Sequence, residues 1–169
     1  MRLRIVVDAN ILISALLGGK SRFILFDIKF EFIVNEFTLK EVEKYIPLVS
    51  EKSGVPEKEI KTGISLLPLK IVSKNYYKDY LRQAEKLIGK IDKNDIDILA
   101  LYLKEKTFLW SEDKDFEKVK PKINLLKTKD LVKGENMETE IEKKIKEIAK
   151  IATRKRGLLF LGKIQYNLI

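Results

Sequence analysis

Four acidic residues occupy positions at which a parallel α/β fold would bring them together. Asp8 and Asp113 each follow a short apolar segment of strand character, directly or within three residues. Glu41 lies about one turn into the helix predicted after the second such segment, and Asp95 starts the helix before the fourth. Ligands of open parallel sheets bind outside the carboxyl ends of the strands. We therefore expect these four carboxylates to meet at one edge of a sheet.

A group of carboxylates suits the hydrolysis of a phosphodiester by divalent metal. A phosphodiester is anionic and repels both hydroxide and carboxylates until cations neutralise its charge. Mg²⁺ takes oxygen ligands and usually keeps several waters, so one or two carboxylates per ion are enough. Without metal the carboxylates would repel one another, and some of them would titrate at raised pH as a coupled set.

The chain contains no histidine and no cysteine. Without imidazole it cannot form a Ser-His-Asp triad, a ribonuclease site with two histidines or a His-ligated zinc site. Without thiols, disulfides, thiolate nucleophiles and Cys-ligated metal centres are excluded as well. Hydrolytic chemistry must therefore rest on carboxylates, lysines, hydroxyls or a hard metal bound by oxygen, such as Mg²⁺ or Mn²⁺.

Positive charge is concentrated near the C-terminus. The 169 residues include 34 basic and 25 acidic ones, and the net charge of +9 suits a polyanionic partner. Most of this excess lies between Lys143 and Lys163, where eight basic residues face one acidic residue, Glu147. We predict that this segment contacts nucleic acid. The residues expected to do so are Lys150, Arg154, Lys155 and Arg156.

The elements that must position the four acids alternate between strand and helix. Short apolar runs rich in β-branched residues predict strands, and apolar residues at three- and four-residue spacing predict helices. Such alternation indicates an α/β fold with a central parallel sheet of about five strands and helices on both faces. The predicted strands are residues 4–8, 31–34, 69–72, 107–110 and 123–126, and the main predicted helices are residues 11–17, 22–28, 38–45, 55–67, 76–88 and 96–103.

Residues 134–136, Gly-Glu-Asn, mark a predicted boundary between a domain of residues 1–133 and an extension of residues 134–169. In the extension, Ile141, Ile145 and Ile148 recur at helical spacing, which predicts a basic amphipathic helix followed by an apolar tail. No apolar stretch approaches the roughly 20 residues of a membrane span. The N-terminal residues lack the pattern of a secretory signal. We therefore expect a cytoplasmic chain that does not bind membranes.

Four segments of the sequence resemble the four motifs of PIN-domain nucleases, in the family's order, over residues 4–116. Asp8, Glu41, Asp95 and Asp113 match the family's four acidic positions. The basic extension is not part of the family's core pattern. The matching segments are Ile-Val-Val-Asp8-Ala-Asn10-Ile-Leu-Ile-Ser-Ala-Leu, Asn35-Glu-Phe-Thr-Leu-Lys-Glu41-Val, Asp95-Ile-Asp-Ile-Leu-Ala-Leu and Ser111-Glu-Asp113-Lys-Asp115-Phe.

The resemblance implies an endoribonuclease that depends on Mg²⁺ or Mn²⁺. Most such proteins are toxins of bacterial or archaeal toxin–antitoxin pairs, and others process RNA. RNA as substrate, an antitoxin-like protein inhibitor and a homodimer are implied with it. Hydrolysis by water would leave a 5′-phosphate and a 3′-hydroxyl.

We expect Asp8 to anchor the metals, Asp95 and Asp113 to complete the ligand set, and Glu41 to bind the second ion or orient the attacking water. All four are therefore predicted both as metal ligands and as catalytic residues.

Four further polar residues are predicted to support that set. Asn10 and Ser111 match the polar residues that flank the first and last motifs, although threonine is commoner than serine at the latter. Their hydrogen bonds would hold the metal ligands or the scissile phosphate. Asp97 is predicted as an outer ligand, and Asp115 as an outer residue or one that faces solvent.

Each acid also has a purely structural interpretation. Asp95 and Asp113, like Asp92, could cap the helices that follow them, and Glu41 could complete a capping box with Thr38. Asp8 is the hardest to explain in this way, because Asn10 would already cap the first helix.

Two other functions fit parts of the pattern. One is a PIN-like scaffold that binds RNA or protein while its pocket is catalytically idle. The other is a phosphatase with an aspartate nucleophile, which would require Asp-x-Asp at the first strand, where this chain has Asn10 as the second residue.

Overall fold

The five apolar segments predicted as strands form one parallel sheet in the computed structural model, which describes residues 2–132. Along the sheet the strands follow the order β3-β2-β1-β4-β5. The predicted fold class is therefore confirmed. The strands are β1 (Leu3–Val7), β2 (Phe30–Asn35), β3 (Leu69–Val72), β4 (Phe108–Trp110) and β5 (Leu125–Leu126).

Helices connect the strands, as parallel pairing requires. Short 3-10 turns at Lys78–Tyr80 and Lys120–Lys122 join some of them. The helices are α1 (Ala9–Leu16), α2 (Ser21–Ile24), α3 (Glu36–Lys44), α4 (Ile46–Ser53), α5 (Glu57–Ser65), α6 (Lys74–Tyr77), α7 (Leu81–Ile88), α8 (Ile96–Glu105), α9 (Lys114–Val119) and α10 (Thr128–Leu131).

Two apolar clusters cover the two faces of the sheet. Ile5 and Val7 of β1 pack in one cluster, which also contains buried residues of α1 to α5. Val6 points to the other cluster, which contains buried residues of α6 to α9. Because successive side chains of a strand point to opposite faces, each central strand is buried on both sides.

The strand order reverses between β1 and β4, and this places their carboxyl ends side by side. From β1 the chain first adds β2 and β3 on one side, and it later adds β4 and β5 on the other. Val7 pairs with Trp110 in the parallel register, so Asp8 and Ser111 follow directly at one edge. Crevices at such a reversal are the usual ligand sites of open α/β sheets.

Several helices differ from their predicted bounds. The first begins at Ala9 and is capped by Asp8, not by Asn10. The third begins at Glu36 and is capped by Asn35, so Glu41 lies inside it and the expected capping box with Thr38 is absent. Residues 76–88 were expected to form one helix, but α6 and a 3-10 turn precede a separate α7. Helix α4 was not predicted.

The predicted extension of residues 134–169 lies outside the described residues. So do Lys150, Arg154, Lys155 and Arg156. Within residues 2–132, none of the helices is both long and apolar enough to cross a membrane.

Candidate active site

Asp8 ends β1 as a buried carboxylate held in one orientation. Its Oδ1 accepts a hydrogen bond from the backbone N–H of Ala9 at 2.7 Å. Its Oδ2 accepts hydrogen bonds from Asn10 Nδ2 and from the Ser111 hydroxyl, each at 2.5 Å. Only 8% of the residue is exposed. A buried carboxylate needs such donors, because burial without them is costly.

Ser111 joins the end of β4 to the end of β1. Its oxygen also accepts hydrogen bonds from the backbone N–H of Asp113 at 2.9 Å and from Asn10 Nδ2 at 3.1 Å. Asn10 Oδ1 in turn accepts from the backbone N–H of Glu112 at 3.3 Å. Asn10 and Ser111, two of the four residues predicted to support the site, thus bind Asp8 and the loop that carries Asp113.

Asp113 lies on that loop and caps α9. Its Oδ1 accepts a hydrogen bond from the backbone N–H of Asp115 at 2.8 Å. The helix-cap interpretation of Asp113 is therefore correct. Capping engages one carboxylate oxygen, and Asp113 is exposed at the edge of the sheet, so the cap does not exclude a second role for it.

Asp95 stands at the N-cap position of α8, but its side chain makes no capping hydrogen bond. Its Oδ2 is buried and has no hydrogen-bond partner among the residues that the structure describes. Carboxylate oxygens of Asp92, Asp95 and Asp115 lie within 4.8 Å of one another. These three residues form what we call the acidic trio.

The carboxylates of the site act electrostatically on one another. Burial is the main cause that raises the pKa of Asp8 to about 6, hydrogen bonds from Ser111 and Ala9 oppose it, and the charges of Glu41 and Asp113 add to it. Burial also raises the pKa of Glu41, with Lys44 opposing and Asp92 and Asp113 reinforcing the rise.

Asp95 is the most strongly affected of these carboxyls. Burial, followed by the charges of Asp8, Asp92, Asp113 and Asp115, raises its pKa to about 8. At neutral pH a proton therefore stays on Asp95 for much of the time when no cation is bound.

The acids predicted from the sequence thus lie in one neighbourhood. The charge of Asp113 contributes to the raised pKa of Asp8, of Glu41 and of Asp95, so it acts on all three carboxyls. Asp97 does not join them, because its Oδ1 accepts from the Tyr77 hydroxyl at 2.9 Å and lies 3.4 Å from Lys74 Nζ.

Two residues that bear on the site are not among the predicted site residues. Asp92, in the loop before α8, was considered only as a cap, although its spacing from Asp95 and Asp97 is a visible acidic pattern. Asn35 caps α3 through Oδ1, which accepts from the backbone N–H of Thr38 at 2.8 Å. It thereby fixes the start of the helix that carries Glu41.

The donor set fits a hard divalent cation. The acidic trio offers only oxygen ligands, as Mg²⁺ and Mn²⁺ prefer. The buried Asp95 Oδ2 lacks a partner within residues 2–132, and a bound cation would supply one. A cation would also replace the proton that burial and the charges of the neighbouring carboxylates favour on Asp95.

Comparison with known proteins supports the same kind of fold. A family model described as "PIN domain" matches residues 6–140 of this chain. The chain is similar to a chain in the crystal structure of VapBC2 from Rickettsia felis bound to a DNA fragment from their promoter. The identity is 20% and the TM-score 0.53, over 74% of this chain and 98% of that one. Among curated proteins there is no match.

Proposed function

Because this chain belongs to the PIN-domain family, we propose that it is a nuclease that hydrolyses phosphodiester bonds of RNA with Mg²⁺ or Mn²⁺. The observation that carries the proposal is the environment of Asp95. Its buried Oδ2 has no partner in the described part of the chain, while burial, reinforced by the charges of four neighbouring carboxylates, raises its pKa. Such an arrangement is unfavourable unless a cation completes it.

We assign the acidic trio, Asp92, Asp95 and Asp115, to one cation. Asp8, Glu41 and Asp113 would hold a second cation or the water that attacks. When bound, divalent cations neutralise the phosphodiester charge and lower the pKa of the attacking water.

The polar residues of the site keep the carboxylates in place. Asn10 and Ser111 hold Asp8 Oδ2 in a fixed direction, so the carboxylate need not reorganise when the substrate arrives. The hydrogen bond from the Asp113 backbone N–H to Ser111 ties the loop of Asp113 to the same point.

RNA is preferred over DNA in this proposal because of the sequence resemblance to PIN-domain ribonucleases. The predicted basic contacts Lys150, Arg154, Lys155 and Arg156 would add attraction for the RNA backbone. Attack by water would yield a 5′-phosphate and a 3′-hydroxyl. A ribonuclease of this kind would work in the cytoplasm, where cellular RNA is translated.

The test is cleavage of labelled single-stranded RNA by the purified full chain during titration with Mn²⁺ or Mg²⁺. We expect cleavage to require the metal and to stop on chelation. Asp8→Asn and Asp95→Asn should each lower the rate by roughly 100-fold or more, because each removes a charged ligand. Labelled products should carry a 5′-phosphate.

Asp79→Asn is the matched control, since Asp79 is exposed in the 3-10 turn Lys78–Tyr80 and belongs to none of the groups above. It should cleave at the wild-type rate. Equal cleavage by wild type and Asp8→Asn would mean that a contaminant cleaves the RNA and that this chain is a catalytically idle scaffold. A 2′,3′-cyclic phosphate product would contradict hydrolysis by water.

The resemblance further favours a toxin restrained by an antitoxin-like protein inhibitor, and a homodimer. Expression of the wild-type chain alone should then arrest growth of a bacterial host, while Asp8→Asn should not. Light scattering should give twice the chain mass of 19.7 kDa. Normal growth during expression of an active enzyme would refute the toxin role but not the nuclease.

A further inference from the structure

Phe37 is an exposed aromatic residue with two lysines beside its ring. It lies in the first turn of α3 and is 41% exposed. Lys74 Nζ lies 5.0 Å from the ring centroid, and Lys40 Nζ lies 5.5 Å from it. We call Phe37, Lys40 and Lys74 the aromatic platform.

The platform adjoins Glu41 through α3. Phe37 precedes Glu41 by four residues, which puts both on one face of the helix about 6 Å apart along its axis. A strand that reached Glu41 would therefore lie about one turn of α3 from the ring. Lys74 Nζ also lies 3.4 Å from Asp97 Oδ1, a carboxylate outside the group at the site.

The platform combines the two features by which proteins bind single strands. An aromatic face stacks on a base whatever the sequence, and ammonium groups attract the phosphates on either side. The simplest alternative is that the lysine stems merely cover an apolar ring. However, Phe37 as a whole residue remains 41% exposed beside both lysines, and the Lys74 side chain is itself 48% exposed.

Nearby acids limit how much charge the platform presents. Asp97 shares the ammonium of Lys74, and Glu36 lies exposed next to Phe37 in the chain. Base stacking, rather than net charge, must therefore supply most of the binding at this point. For this reason an unpaired strand fits better than a duplex, whose bases already stack on one another and hide their faces.

From these observations we infer that an unpaired base of a single-stranded nucleic acid stacks on Phe37, with Lys40 and Lys74 holding the adjacent phosphates. This inference rests on the proposed function, because the platform would guide the strand into the acidic site. Phe37 and Lys40 of α3 would then select the substrate without taking part in the hydrolysis.

Binding of a fluorescent single-stranded 12-mer RNA to the full chain tests the inference. Ca²⁺ replaces Mg²⁺ so that the carboxylates are neutralised, and a gel confirms that the RNA stays intact. Phe37→Ala should weaken binding roughly 5- to 150-fold, the range for loss of one stacked base. Phe37→Tyr should bind within about 2-fold of wild type, because it keeps the aromatic face.

Phe37→Leu separates stacking from simple apolar contact and should bind as weakly as Phe37→Ala. An RNA that carries the fluorescent base 2-aminopurine at the stacked position should change its fluorescence when it binds the wild type. This change should be absent with Phe37→Ala and Phe37→Leu. Lys40→Ala should lower the slope of log affinity against log salt by about 0.7. Binding of a duplex of the same length should change little in any variant.

Phe26→Ala is the matched control, because Phe26 is 42% exposed and lies in the connection to the opposite end of β2. It should bind RNA like wild type. The inference is overturned if Phe37→Ala or Phe37→Leu binds the single strand as tightly as wild type. It is also overturned if these variants lose as much affinity for the duplex as for the single strand. Metal-dependent cleavage that persisted in that case would leave the proposed nuclease intact.

Discussion

Ser111 shows at the scale of one residue how the site is held together. Its hydroxyl donates to Asp8 Oδ2 and accepts from the backbone N–H of Asp113 and from Asn10 Nδ2. It is fully buried. One oxygen atom therefore connects the end of β1, the start of α1 and the loop after β4.

Removal of this hydroxyl should affect both stability and activity. In Ser111→Ala the N–H of Asp113 loses its partner and Asp8 Oδ2 loses one of its two donors, which should lower the free energy of unfolding by about 1–3 kcal/mol. RNA cleavage should fall as well, because Asp8 is less well fixed. Denaturant titration and cleavage rates measure the two effects.

Ser111→Thr and Ser65→Ala complete this comparison. Threonine keeps the hydroxyl, so cleavage should persist, although the added methyl group must fit into a fully buried position. Ser65 is exposed and its hydroxyl donates only to the backbone oxygen of Thr62, so its loss should cost less than about 0.5 kcal/mol. A Ser111→Ala protein as stable and as active as wild type would contradict the role of the hydroxyl.

The raised pKa values of Asp8 and Asp95 predict how the metal-free protein responds to pH. Both carboxyls hold a proton more tightly in the folded than in the unfolded chain, so folding is favoured at low pH and loses stability as pH rises. The loss should run from about pH 4 to about 6 for Asp8 and to about 8 for Asp95.

Thermal unfolding in chelator at pH 6 and pH 8 measures this loss. The wild type should melt at a lower temperature at pH 8. Asp95→Asn should lose most of that difference, since Asp8, with a pKa of about 6, is already half ionised at pH 6 and contributes much less between pH 6 and pH 8. A wild-type melting temperature that is equal at both pH values would contradict the assigned environment of Asp95.

The residue pattern indicated Asp8, Asn10 and Ser111, which the structure joins by direct hydrogen bonds. It gave less weight to Asp92, because a single acid before a helix is well explained as a cap. Only the fold brings a carboxylate oxygen of Asp92 to within 4.8 Å of those of Asp95 and Asp115. Contacts of this kind depend on where the fold places the loop before α8 relative to the first turn of α9, and local spacing does not contain that information.

At the scale of one element, α3 carries Glu41 and two residues of the aromatic platform, Phe37 and Lys40, and Asn35 determines where it begins. Asn35→Ala should lower the free energy of unfolding by about 1 kcal/mol through the lost cap. It should also weaken cleavage, because Glu41 and Phe37 both depend on the first turns of α3. Denaturant titration and RNA cleavage test this.

Ser73→Ala is the control for that change. Ser73 occupies the N-cap position of α6, but its side chain makes no capping hydrogen bond. Its replacement should therefore leave stability nearly unchanged. Equal losses in the two variants would mean that the bond from Thr38 to Asn35 contributes nothing specific.

Element bounds were predicted well where apolar residues alternate clearly and poorly where helices are short. The sequence predicted β3 with its observed bounds, because three of the four residues 69–72 are apolar and two of them are β-branched. It missed α4, although Pro47 in its first turn and Gly54 at its C-cap are start and stop signals. Gly54 adopts a left-handed conformation with φ 68°, which ends α4 before α5 begins.

At the scale of the whole molecule, cation binding and folding should be linked. A ligand that binds only the folded chain raises its stability in proportion to the logarithm of its concentration. Mn²⁺ should therefore raise the melting temperature, and it should do so more at pH 8 than at pH 6, because protons compete for Asp8 and Asp95.

Differential scanning fluorimetry across a range of Mn²⁺ concentrations measures this linkage. Asp79→Asn should show the wild-type shift, whereas Asp95→Asn should show a much smaller one. If Mn²⁺ stabilised both variants equally, the cation would be binding outside the carboxylates described above.

Because β1 and β4 are neighbours in the sheet but far apart in the sequence, the site can form only late in the synthesis of the chain. Asp8 and Ser111 are separated by 103 residues of sequence, which a ribosome needs roughly 5–20 s to translate at 5–20 residues per second. During that interval the emerging polypeptide has its first aspartate but not the hydroxyl that orients it. A chain whose synthesis stops before the fourth strand therefore lacks the serine that holds Asp8, and the site described above cannot form until β4 and Ser111 have been translated.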